Sequence, residues 1–320
     1  MPTNRLPISV IICTYNRAEL LKDCLDSLGQ QKLSADQFEV LVVDNHSTDD
    51  TRTLVEGYLS TLSHFRYIFE EKQGLSFARN RGYSEARGEY LVYLDDDVII
   101  KNDYLSNVSR VIKDHRPDIM GGPVYPYYRS PRPGWFRDEY ETRKYEAVSG
   151  FSTSCSITGC NYIIRRDVLE AQGLFNPDLG MVGKKVRLGE EKVILVHYRQ
   201  GTPSEKQRVY YSLECPVQHY VPAKKMTLLY RLERSFTNGR LVIQVSVTYK
   251  SVMRIIKLML EPGWVVILFI RGRKLGDQNP RSWYFLWTYP AQYCGEVVEL
   301  FAFLIGRGLN WRHLIPIAII

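Results

Sequence analysis

Nowhere in this 320-residue chain do about 20 uncharged apolar residues follow one another, which excludes a clean membrane-spanning helix. Its six cysteines, Cys13, Cys24, Cys155, Cys160, Cys215 and Cys294, include no C-x-x-C pair. That usage fits a reducing compartment better than a secreted disulfide framework. Cys13 reads as inert core of an apolar strand, and Cys155 with Cys160 could pair, a spacing that is weak evidence by itself. There is no internal repeat and no low-complexity segment. The first six residues carry one Arg and run straight into a strand, with neither the apolar length nor the small-residue site of a cleaved leader. The expectation is a cytoplasmic active face, peripheral on the inner side of the plasma membrane. Hydrophobic residues make up 45% and charged residues 24%, so the chain is globular, with length for one or two domains.

Acidic charge is scarce only at one end. Residues 221–320 hold 14 Lys/Arg against 5 Asp/Glu, which leaves 28 against 30 in residues 1–220. The whole net charge of +7 therefore resides in the last third, together with Trp264, Trp283, Trp287 and Trp311. Basic residues interleaved with Trp and Tyr suit an anionic membrane surface better than nucleic acid. Residues 241–260 are nearly continuously apolar, and their only charges, Lys250, Arg254 and Lys257, share one helical face. Residues 284–305 carry Pro290, Glu296 and Glu299. Helices lying in the interface fit these runs better than spanning ones. The expected organisation is a domain over residues 1–220 and a basic, Trp-rich helical region over 221–320.

What is present in the first domain is a regular alternation. Residues 7–14, 38–43, 67–70 and 90–94 read as strands. Residues 17–29, 51–62 and 74–86 read as helices between them. Such an order implies an α/β fold with a mostly parallel sheet and right-handed crossovers. Beyond Gly121 the pattern loosens into a Pro/Tyr/Arg-rich segment, a small polar stretch over 149–161 and a glycine-bearing loop over 175–191. Residues 209–213 read as a further strand leading to His219.

The chemistry-bearing feature is the end of the fourth strand, where Glu-Tyr-Leu-Val-Tyr-Leu runs into Asp95, Asp96 and Asp97. Ligands of open α/β sheets sit at the carboxyl ends of strands. Three adjacent carboxylates there repel unless something positive joins them, and a divalent cation with a diphosphate answers that need. Asp44 and Asn45 end the second strand at the same edge. Asp44 suits a base or ribose contact, while residues 47–50 offer helix caps; both readings can hold on different residues. Arg79 and Arg81 suit phosphates, or else a solvated helix face. Glu190 and Glu191 suit a general base, or else a helix start that favours acids. His219 is a lone histidine, and a lone histidine is more often structural than a ligand.

Four segments together resemble the family-2 glycosyltransferases of GT-A fold, of the bacterial polysaccharide-biosynthesis kind. They are Ser-Val-Ile-Ile-Cys-Thr-Tyr-Asn-Arg at 9–17, Leu-Val-Val-Asp-Asn-His-Ser-Thr-Asp-Asp at 41–50, Gly-Leu-Ser-Phe-Ala-Arg-Asn-Arg-Gly at 74–82 and Gly-Glu-Tyr-Leu-Val-Tyr-Leu-Asp-Asp-Asp at 88–97. The resemblance implies a Rossmann-like, mostly parallel sheet flanked by helices, with a C-terminal helical extension. It implies a UDP- or GDP-linked sugar donor cradled by Thr14, Tyr15 and Arg17, with Asp44 on the base and Arg79 near base or diphosphate. Asp95 and Asp97 would be the D-x-D pair for Mn²⁺ or Mg²⁺, Asp97 the direct ligand. Asp96 would stand behind them, and His219 would join the metal or diphosphate. Gly159 and Asn161 would lie on the acceptor side. Glu190-Glu191 matches a Glu-Asp pair whose second member is the base of inverting enzymes, so Glu191 would be the base; Glu in that place reaches one methylene further and keeps Glu190 as the alternative. The Gln-x-x-Arg-Trp motif of processive synthases is absent, which implies transfer of single sugars to a saccharide or lipid-linked acceptor.

Two rivals belong to other classes. An apolar strand followed by Asp-x-Asp-x-Val also begins the haloacid-dehalogenase phosphohydrolases, where an Asp is the nucleophile. That motif stands near the start of those chains, and here a long patterned segment precedes it. The other rival is a catalytically inactive, membrane-associated scaffold of the same fold.

Overall fold

A computed structural model describes residues 6–179, 181 and 189–245. It divides into two units, Met1–Arg129 with Gly134–Val221, and Ser130–Pro133 with the segment from Pro222 onward.

The first unit opens with β1 (Ile8–Thr14), α1 (Ala18–Gly29), β2 (Phe38–Asp44), α2 (Thr51–Leu59), β3 (Phe65–Phe69), α3 (Leu75–Glu85) and β4 (Tyr90–Asp95). Their apolar runs are buried along nearly their whole length in β1, β2 and β4, as strands covered by helices on both faces require. Alternate residues serve opposite layers. Ile8, Val10 and Ile12 pack with α1 residues Leu21, Cys24, Leu25 and Leu28, whereas Ile11 joins Leu41, Val43, Tyr93 and Ala78 of α3. There follow β5 (Val98–Ile100), α4 (Tyr104–His115), β6 (Ile119–Gly121), β7 (Val124–Tyr127), β8 (Gly150–Phe151), β9 (Asn161–Arg165), α5 (Arg166–Ala171), α6 (Glu190–Gly201), β10 (Val209–Tyr211) and β11 (Val217–Tyr220).

The main sheet has eight strands in the order β3-β2-β1-β4-β9-β6-β10-β8. The first four are mutually parallel, as the alternation implies. β9 then enters antiparallel between β4 and β6. This register positions everything that follows. Thr14 stands opposite Asp44, and Cys13 opposite Asp95, so three strands deliver their last residues to one edge. A second sheet, β5-β11-β7, lies just beyond the acid cluster. In it His219 pairs with Val98, and the Tyr220 amide donates to the Asp97 carbonyl at 2.9 Å.

The second unit contains a helical turn at Ala223–Met226 and α7 (Leu228–Val245). Among the described residues no helix is long and apolar enough to cross a membrane. The runs at 246–320, with the four tail tryptophans, lie outside the described residues.

Candidate active site

The strand ends floor a cleft of about 240 Å³ lined by Thr14, Tyr15, Arg17, Asp95 and Asp96, together with Cys13, Asn45, Leu75, Ala78 and Met181. The three acids do not share one environment. Asp95 is the open one, with about a third of its side chain exposed. Asp96 turns inward, where its carboxylate accepts from the Thr14 hydroxyl at 2.8 Å and from Arg17 Nη1 at 2.7 Å. Asp97, 3% exposed, takes the same Arg17 nitrogen at 3.1 Å on one oxygen and faces His219 Nε2 at 3.3 Å with the other. Burial pushes the Asp96 carboxyl up to about 7, against the pull of Arg17 and with the added push of Asp97. Burial raises Asp95 too, opposed by Arg79 and reinforced by Asp97. Carboxyls held against their charge in a cleft are poised to receive a cation.

A second constellation backs the first. Arg79 of α3 is buried and pairs with Glu190 Oε1 at 2.7 Å and with Asp95 Oδ1 at 3.5 Å. Its guanidinium also lies 5.3 Å from the Phe175 ring centre, and Asn80 fixes Phe175 through both its amide N–H and its carbonyl. Gly189, at φ 103°, turns the chain into α6. One helical step then separates the two acids. Glu190 points inward, 5% exposed, and is raised to about 7 by burial and by Glu191, in spite of Arg79. Glu191 turns toward Gly159, where a Cβ would come within 3.2 Å of its Cδ and 3.1 Å of Arg79 Nη2. Among the described residues Glu191 makes no ion pair. The absent side chain at Gly159 therefore leaves room for that carboxylate. Gly159→Ala is expected to lower kcat by about tenfold by displacing a positioned group, with a melting temperature within a few degrees of wild type; scanning calorimetry and steady-state kinetics check it.

Several sequence-derived expectations change. Asp44 does not line the cleft: it is 2% exposed, and its oxygens accept from Tyr67 Oη and the Ser47 amide, both at 2.8 Å. Its neighbour Asn45 lines the cleft instead and ties Gly74 and Lys72 across the next loop. Arg81 lies outside the site, exposed and paired with Glu85. Asn161 is fully buried, its amide bonded to the Cys215 carbonyl and the Tyr104 hydroxyl, so its side chain faces no acceptor. Cys155 and Cys160 remain thiols. The donor atoms of Asp95, Cys160 and His219 all lie within 4.8 Å of one another. That carboxylate, thiol and imidazole fit a divalent cation, and Cys160 is the member that the sequence alone does not mark as a ligand.

Residues 9–173, just over half of the chain, match the model of the family described as glycosyl transferase family 2. The chain is 28% identical over 246 residues to the succinoglycan biosynthesis protein ExoM of Rhizobium meliloti, covering 75% of each. It is 31% identical over 179 residues to the glycosyltransferase AglE of Haloferax volcanii, covering 54% of this chain and 57% of that one. Other relatives are longer, and the chain spans a third of them or less. In fold it resembles the mannosyltransferase PcManGT of Pyrobaculum calidifontis in complex with GDP-Man and Mn²⁺, with a TM-score of 0.61 at 18% identity, covering 94% of this chain and 88% of that one. It also resembles residues 1–349 of Staphylococcus aureus TarS in complex with UDP-GlcNAc, with a TM-score of 0.55 at 17% identity and 94% and 92% coverage.

Proposed function

Because the chain belongs to glycosyl transferase family 2, we propose that it moves one sugar, with inversion, from a UDP- or GDP-linked donor to a hydroxyl of a saccharide or lipid-linked acceptor. The observation that carries this reading is the convergence of two carboxylate sets on one sheet edge, Asp95 and Asp97 beside His219, and Glu191 beyond Arg79. Membership also sets the phosphohydrolase alternative aside, since Asp95 ends the fourth strand of a matched segment that starts at residue 9.

In this reading Tyr15 and Asn45 wall the nucleoside side of the cleft, with Thr14 at its floor. Asp44, bonded to Tyr67 and Ser47 behind this wall, orders the turn that presents Asn45. Arg17, 41% exposed at the rim, turns from Asp96 and Asp97 to the diphosphate. Asp95, Asp97 and His219 hold Mn²⁺ or Mg²⁺, which neutralises charge on the departing diphosphate when bound. Glu191 takes the acceptor hydroxyl proton as that oxygen attacks the anomeric carbon, and the glycosidic bond to the diphosphate breaks. Arg79 keeps Glu190 and Asp95 in place from below. Gly159 opens the acceptor side.

Succinoglycan biosynthesis in one relative and poly(ribitol-phosphate) N-acetylglucosamine transfer in another support an acceptor in cell-surface polysaccharide assembly. The basic, Trp-rich tail supports docking on an anionic membrane surface, with the site on the cytoplasmic side. Incubation with a panel of nucleotide sugars and Mn²⁺ tests the reading. Turnover should disappear with EDTA, return with Mn²⁺, and fall roughly 100-fold or more in Asp97→Ala. Turnover that persists in both Asp97→Ala and Glu191→Gln would sink the mechanism. Tight donor binding without transfer or hydrolysis would support the inactive scaffold.

A further inference from the structure

We propose that Cys160 supplies a sulfur ligand to the cation at Asp95 and His219, so that this site holds thiophilic divalent ions more tightly than Mg²⁺. The inference rests on the proposed cation site and adds to it a ligand that changes its selectivity.

The three side chains come from three elements that the fold brings together. Asp95 is the last residue of β4. Cys160 immediately precedes β9. The antiparallel β4–β9 register ends with Leu94 opposite Asn161, so Asp95 and Cys160 are the next facing positions along the two strands. His219 arrives from the other sheet on β11, against Val98. Their donor atoms fall within 4.8 Å of one another. Bonds of about 2.0–2.3 Å place ligand atoms around a tetrahedral ion about 3.3–3.8 Å apart, so the trio has to close by about 1 Å.

A buried cysteine is ordinarily a small apolar filler, and Cys160, 4% exposed, is packed as one on its protein side. Cys24 and Cys215 are buried in the same core. Among the described residues, only Cys160 stands with a carboxylate and an imidazole in one group of possible ligands. Thiolate selects Co²⁺, Zn²⁺ and Cd²⁺ over Mg²⁺, which prefers an all-oxygen octahedron. The ion displaces the thiol proton to solvent on binding. Asp95, the most exposed of the three acids, keeps the ion accessible from the cleft.

The test is a Co²⁺ titration of the full chain, without nucleotide and under anaerobic conditions, followed by the near-ultraviolet thiolate-to-cobalt charge-transfer band. The band should saturate at one Co²⁺ per chain. It should be absent in Cys160→Ser and Cys160→Ala and present in Cys13→Ser, which removes the thiol lining the cleft. Cys160→Ser should weaken Cd²⁺ by about tenfold or more and leave Mn²⁺ within about threefold, because Mn²⁺ gains little from sulfur. X-ray absorption of the Co²⁺-loaded wild type should show one sulfur at about 2.3 Å, a readout that requires no variant to fold. A first shell of nitrogen and oxygen alone overturns the proposal, as does loss of the band in Cys13→Ser but not in Cys160→Ser. Sugar transfer with Mn²⁺ but no cobalt–sulfur band sinks this inference and spares the donor reaction. The band without sugar transfer does the reverse.

Discussion

Glu191→Gln is expected to lower kcat by roughly 10²–10⁴-fold, the usual contribution of a positioned general base, with the donor KM changed by no more than a few-fold. Gln keeps the shape and length of the side chain but cannot accept the acceptor's proton at neutral pH. Donor binding should survive because Glu191 stands apart from the cleft lining, on the Gly159 side. The decisive comparison is with Glu190→Gln. Glu190 is bound to Arg79 at 2.7 Å inside the protein, where it cannot meet an acceptor hydroxyl without breaking that pair. Its neutral replacement should cost less than Glu191→Gln in kcat, through loosening of α6. Both variants are to be assayed for transfer and for donor affinity by calorimetry. A larger kcat loss in Glu190→Gln, at equal donor affinity, would exchange the two roles.

The sequence favours Glu191 over Glu190 only through the family resemblance. Adjacent acids at a helix start are equivalent until the rotation of that helix relative to its neighbours is known. Here the rotation is set by Arg79, more than 100 residues earlier in the chain. The same limit separates the parts of the fold that were legible from those that were not. β1, β2 and β4 announce themselves as apolar runs because both faces are covered, and their parallel register carries Thr14, Asp44 and Asp95 to one edge. The second sheet has no such signature. Val-Gln-His-Tyr of β11 is short and half polar, so its pairing with β5 and β7, which brings His219 to Asp97, is a tertiary result. Asn161 illustrates the converse. It carries a polar side chain in a loop-like stretch, yet it begins an interior strand, and its amide is consumed by Cys215 and Tyr104. Cys160, next to it, reads only as a possible disulfide partner until β9 is seen to run back against β4.

Arg79→Met should produce the largest loss of stability, about 3–5 kcal/mol, the usual cost of removing one partner of a buried ion pair. Met fills much of the same volume beside Phe175 but leaves Asp95 and Glu190 without the cation that pairs with both, and Glu191 without the positive charge nearby. The pH dependence separates this cause from simple repacking. In the wild type, burial and Glu191 already hold the Glu190 carboxyl at about 7, above its ordinary range, with Arg79 pulling it down. A carboxyl raised in the folded state contributes stability that is complete at low pH and is lost as pH rises through the folded value. Without Arg79 that value rises further, and Asp95 rises with it, so more is lost over the same interval. The deficit of the variant should therefore widen from pH 6 to pH 8 in urea unfolding with EDTA present. Repacking alone predicts a deficit independent of pH. Arg79→Lys should recover only part of the loss, because an ammonium lacks the planar fork that spans two carboxylates and the flat face that lies against Phe175. Full recovery by Lys would mean that charge alone matters at this position and that the two-pronged link between Glu190 and Asp95 does not.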